Sequence, residues 1–262
     1  MCYNQLKAIC QRKEESKMRK RIIAALLAAI ICLFAFTACD GGGSGSVTPV
    51  EPGTGTNTGS GSSSSSVNPL TIKILGASSY SQVSGYVDQF YSLEVTNPNS
   101  SKAARFTQVT VTLKNESGQI IKSETNYIGV VAAGDTIRYS GNIMYQGEIA
   151  DTIGVSLTTP GYGFDSNESL DAVYSNDLVV SNVSLVGSGN RRRITGEVTN
   201  RSSKSCSMVR VSSILQTDGQ CIGGNYCYVN NLSPNATQSF EINLYGLTAD
   251  INNYAVYAAN WS

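Results

Sequence analysis

The side chains that carry most protein chemistry are unevenly represented in this sequence, which has seven cysteines, 14 tyrosines and no histidine. Without histidine the chain lacks the residue most used for proton transfer near neutral pH, and also the commonest zinc ligand. Cys2, Cys10 and Cys32 fall in an apolar amino-terminal leader, and Cys39 stands at its end. Three sulfurs remain for the rest of the chain: Cys206, Cys221 and Cys227. In an oxidising compartment this odd number allows one bridge and leaves one thiol over. Cys206 with Cys227 would staple two strands, whereas Cys221 with Cys227 would close a small loop around Gly223 and Gly224. The first pairing is preferred, because residues six positions apart on one strand are too distant to bond unless that strand breaks. As a metal site the trio lacks a fourth ligand, and no cofactor is expected.

The carboxylates show no catalytic spacing. A glycoside-cleaving enzyme, the alternative class of function, would need two acids brought together from among Glu94, Glu197, Asp135 and Asp218. No feature of the sequence makes them converge. Asp165, Asn167, Ser169 and Asp171 alternate as the first ligands of a calcium loop do, but Leu170 stands where the sharp-turn glycine belongs and Asn176 where the bidentate glutamate belongs. That stretch reads as a solvated connection. Arg191, Arg192 and Arg193 form the one dense basic run, a candidate patch for an anionic envelope partner. Basic and acidic residues balance at 19 each, so no long-range field would recruit nucleic acid. The tyrosines and Trp261 could offer stacking platforms to a sugar or a protein groove, but aromatic residues at alternating positions of a β-sandwich more often pack the core or a sheet face, and nothing selects a sugar.

Lys17, Arg19, Lys20 and Arg21 precede an apolar run from Ile22 to Phe36, which ends at Thr37, Ala38 and Cys39. The run is shorter than the roughly 20 apolar residues of a membrane span, and no positive cluster follows it. It has the three parts of a cleaved export signal. Phe36-Thr37-Ala38-Cys39 resembles the lipobox of bacterial lipoprotein precursors, with Phe36 in place of the usual leucine. The resemblance implies a signal peptide over 1–38, a diacylglyceryl group on Cys39 and an extracytoplasmic, membrane-anchored location. Met18 opens a better-proportioned signal than Met1 and is the expected start. Residues 39–68 are rich in Gly, Ser and Thr and too polar to repay ordering, so a disordered tether is expected, about 30 Å between its ends.

Beyond the tether the sequence repeats. Glu94-Val95-Thr96-Asn97 recurs as Glu197-Val198-Thr199-Asn200, and Ser100-Ser101-Lys102 as Ser202-Ser203-Lys204. Gly118-Gln119 matches Gly219-Gln220, Tyr127 matches Tyr228, and Tyr139 matches Phe240. Thr107, Val109, Val111 and Leu113 alternate with polar neighbours, as do Val209, Val211, Ser213 and Leu215. Glycine-bearing turns follow both runs. These patterns predict an all-β chain: two tandem antiparallel Ig-like β-sandwiches over 69–158 and 177–262, joined by 159–176.

The order of strand, Val-Thr-Asn turn, alternating strand, Asp-Gly hairpin and Leu-x-Pro-Asn turn resembles the FxLYD domain of bacterial surface lipoproteins. Of the signature itself, Val111-Thr112-Leu113-Lys114-Asn115 and Ser213-Ile214-Leu215-Gln216-Thr217 retain only the leucine. The resemblance implies a sandwich fold and an envelope setting, with no catalytic residues. The expected function is non-catalytic binding or spacing at the envelope, towards a protein or glycan. Cys39→Ala should abolish labelling by a fatty-acid probe and release the protein from the membrane fraction. Unchanged labelling would remove the lipid anchor.

Overall fold

The computed structural model describes residues 67–82 and 84–261, which fall in one compact unit. The expected signal over 1–38, Cys39 and almost all of the tether lie outside the described residues. No helix among the described residues is long and apolar enough to cross a membrane.

The chain is all-β. Strands follow in the order β1 (Thr71–Ser81), β2 (Tyr86–Thr96), β3 (Ala103–Ala104), β4 (Thr107–Lys114), β5 (Ile120–Ile128), β6 (Thr136–Gln146), β7 (Thr152–Thr158) and β8 (Phe164–Asp165). The second half adds β9 (Leu178–Val186), β10 (Arg193–Asn200), β11 (Cys206–Thr217), β12 (Gln220–Gly223), β13 (Tyr226–Leu232), β14 (Thr237–Asn243) and β15 (Asn253–Asn260). Sheet β1-β2-β6 closes on sheet β5-β4-β7 to make the first sandwich. Sheet β9-β10-β14 closes on a sheet in which β11 lies between β12 and β13 on one side and β15 on the other. With β12 and β13 read as one broken strand, the two sandwiches have the same strand order, and all these pairings are antiparallel.

Alternation explains the cores. Thr107, Val109, Val111 and Leu113 are buried while the residues between them are half-buried, the pattern of a strand with one covered face. In β2 and β11 the alternation fails, because seven consecutive residues of each, 87–93 and 209–215, are buried. Both strands belong to sheets covered on two sides. The outer face of β1-β2-β6 packs on the outer face of the β11 sheet, placing Phe90 among the core residues of the second sandwich and Trp261 among those of the first. The connection expected to be solvated is ordered as well. Its Leu170, Ala172 and Val173 are buried, β8 pairs with β3, and the buried carboxylate of Asp135 accepts both the backbone N–H and the hydroxyl of Ser175 at 2.8 Å.

The repeated Thr-Asn pair has a structural reason. Asn97 Nδ2 donates to the carbonyls of Lys102 (2.8 Å), Val131 (3.1 Å) and Ala132 (3.1 Å). Asn200 Nδ2 donates to those of Lys204 (2.7 Å) and Leu232 (3.1 Å). Each asparagine is almost fully buried and supplies peptide-like donors to carbonyls in loops and at strand ends. Beside it the paired threonines, Thr96 with Thr136 and Thr199 with Thr237, hydrogen-bond across the strands. Asn97→Ala and Asn200→Ala should each lower stability by about 1–3 kcal/mol, the usual cost of stranding a buried polar group. Urea titration of each variant measures this, with the exposed Asn230→Ala as the unchanged control.

Candidate functional site

A cavity of about 720 Å³ opens where the two sandwiches meet at the ends of β5, β11 and β13. Arg105 and Phe106 of the first sandwich line it together with Ser205–Ser207, Asn231 and Trp261 of the second. Gly129 makes the junction: a Cβ there would lie 2.3 Å from the Trp261 Cα, so only glycine lets the carboxy-terminal strand approach this closely. Phe106 is the unusual member. It occupies left-handed backbone at φ 58°, which a bulky side chain rarely adopts, and the residue is 45% exposed. Tyr127 and Tyr162 are also exposed, Tyr162 with its ring centroid 6.2 Å from that of Phe106, while the Arg105 guanidinium lies 4.6 Å over the Phe106 ring.

Behind Trp261 lies a second feature that sequence reasoning missed. Arg210 is 6% exposed and sits in an aromatic cage, its guanidinium 3.5 Å from the Tyr226 ring centroid, 4.6 Å from Trp261 and 5.2 Å from Tyr139. Nη1 donates to the Tyr228 hydroxyl at 3.3 Å, Nη2 donates to the Ser140 carbonyl on β6, and Nε has no partner among the described residues. No carboxylate pairs with it, since the ion pairs among the described residues are Arg138–Glu94 and Arg193–Glu241. The available signal was a charged residue inside the apolar run Met208-Val209-Arg210-Val211. Period two would place it on the solvent side, and only the packing of the sandwiches covers that side.

The expected site residues scatter. Cys206, Cys221 and Cys227 are all free thiols. Cys206 stands opposite Leu232 whereas Cys227 stands opposite Val211, five residues along β11 (206 to 211), so the preferred bridge would have to span about 16 Å. The alternative bridge fails too, because Cys221 pairs with Gln216, five residues beyond Val211 (211 to 216). Nor do the arginines form one patch. Arg192 donates to the carbonyls of Gly189, Ala249 and Leu247, Arg193 pairs with Glu241 at 3.0 Å, and Arg191 alone is exposed. Among the acids, Glu94 is held by Arg138, Glu197 by Asn182, Asp135 by Ser175 and Asp218 by Asn252. None of the four lines the cleft. Asp165 is held below the usual carboxylate range by the Ser169 hydroxyl and the Ser166 N–H, which serve it as donors within its own turn.

No family model matches the chain, and no curated protein matches it. Among solved structures the chain is similar to the N-terminal CBM22-1–CBM22-2 tandem domain of Xyn10C from Paenibacillus barcinonensis, at 11% identity over 72% of this chain and 91% of that one, with a TM-score of 0.17.

Burial around the junction has a titration consequence. It pushes the thiols of Cys206 and Cys227 from 9.0 to about 11 and the Tyr91 hydroxyl from 10.0 to about 12, the Arg210 charge opposing the last shift more weakly. Tyr139 moves in the same direction, again by burial. The unfolded chain releases these protons first, so between about pH 9 and 12 the folded state binds more of them. Stability should hold below about pH 9 and fall steadily as pH rises towards 12. Urea midpoints compared at about pH 8 and about pH 10.5 test this, and equal midpoints would show that these groups are not protected on folding.

Proposed function

We propose that this chain is a non-catalytic binding protein of the bacterial cell envelope, held to a membrane by lipid on Cys39 and engaging its partner at the junction cleft. The observation that carries the binding reading is Phe106. Left-handed backbone costs a bulky L-residue about 1–2 kcal/mol, and a residue left 45% exposed recovers little of that by packing. The strain keeps an aromatic ring on the cleft rim beside Arg105, and aromatic and arginine side chains are the types that dominate protein recognition sites. The lipobox-like stretch before Cys39 and the likeness of both repeats to FxLYD modules support the envelope setting. The four candidate carboxylates each have partners of their own, which favours binding over hydrolysis.

Phe106→Gly separates the two costs. Glycine relieves the backbone, so the variant should be more stable by about 1 kcal/mol. It should also capture less envelope material than the parent when the compact unit 62–262 is used as bait. A stabilised variant with undiminished capture would show that the cleft is not the contact surface.

A further inference from the structure

A smaller groove, about 310 Å³, lies beside the hairpin between β1 and β2, where the outer face of β1-β2-β6 meets the loop that follows β14. Its floor holds Asp88, which is 5% exposed and accepts a hydrogen bond from Gln82 Nε2 at 2.5 Å. Among the described residues no lysine or arginine pairs with Asp88, and none lines the groove. Gly246 covers the pair at φ 82°, and any Cβ there would lie 2.4 Å from Asp88 Oδ2. Asp88 stands opposite Met144, and Asn142 two residues back along β6 faces the same way. Diagonal neighbours on one sheet face are close enough for one small molecule to touch both. The side-chain amide of Asn142 is exposed and has no hydrogen-bond partner among the described residues. Around this polar floor the apolar side chains are unusually open: Tyr245 is 66% exposed, Met144 61% and Tyr86 36%.

We infer that this groove binds a neutral saccharide, one or two sugar units at the end or along the length of a glycan. A sugar hydroxyl both donates and accepts, and the groove offers a pure acceptor, Asp88, beside an amide that does both, Asn142. A pyranose also carries a flat C–H face, and exposed tyrosine rings match such a surface. Anionic ligands meet an uncompensated carboxylate here. A cationic amine would find that one carboxylate, but it has no use for the amide donors of Gln82 and Asn142. The volume sits at the lower limit of ligand sites, which suits a sugar unit better than a folded partner. This reading is independent of the junction cleft, because the two cavities share no lining residue.

The test is titration of the full chain, solubilised in detergent, with neutral hexa-oligosaccharides built on glucose, xylose, mannose or galactose. A sulfated oligosaccharide and a lysine-rich peptide serve as the anionic and cationic arms. At least one neutral oligosaccharide should bind, more tightly than either charged probe. Asp88→Asn and Tyr245→Ala should each weaken that binding tenfold or more while the melting temperature shows both variants folded. Asn230→Ala, an exposed position that lines neither cavity, should leave it unchanged. Absence of binding to every neutral probe, binding indifferent to both substitutions, or preference for the lysine-rich peptide overturns the assignment.

Discussion

The whole described structure turns on one contact, the packing of the β1-β2-β6 sheet of the first sandwich on the β11 sheet of the second. Arg210 clamps one end of it. Its guanidinium satisfies the carbonyl of Ser140 on β6, an edge strand whose unpaired groups would otherwise face solvent or another chain. Tyr226, Trp261 and Tyr139 present their π faces to the charge, and a desolvated cation–π contact contributes roughly 2 kcal/mol. The cage stands where a carboxylate would usually be, and it fixes the position of Trp261, hence the wall of the cleft.

The two sandwiches show how a duplicated sheet acquires a partner. Gln108 pairs with Tyr127 across β4 and β5 and donates to its hydroxyl at 3.1 Å; Arg210 makes the same bond to Tyr228 across β11 and β13 at 3.3 Å. In the first sandwich the next residues on that face are Thr110 and Thr112, which hydrogen-bond across the strands and stay only half-buried. In the second they are Ser212 and Ile214, smaller or apolar, and both are buried. A threonine ladder satisfies itself and can face water, whereas a face carrying isoleucine and small hydroxyls is lowest in free energy when covered.

Both candidate sites arise from that coverage rather than from either sandwich alone. The cleft combines residues of the first sandwich, the ordered connection and the second sandwich, and the groove is lined by Tyr245 of one sandwich and Asp88 of the other. Tandem sandwiches that were free to move would hold neither geometry. The buried segment around Leu170 and Val173, together with the Asp135–Ser175 hydrogen bonds, removes that freedom.

Much of the architecture was legible because it depends on local pattern. Period two in Thr107–Leu113, glycines at the turns and the recurring Val-Thr-Asn set the strands, the sandwiches and the duplication without reference to long-range contacts. The sulfur bridge was misjudged because strand pairing brings two strands together while register decides which residues meet. A shift of five residues along β11 separates Cys206 from Cys227. Arg210, Asp88 and Phe106 were passed over for a related reason: a polar or charged residue at an outward position looks solvated until another sheet covers it, and a positive φ cannot be read from a phenylalanine. The sequence by itself therefore determined the strands and their repetition, which local alternation dictates. Tertiary structure alone decided which outer faces meet, and with them the sites, because that choice depends on complementarity between surfaces distant in the chain.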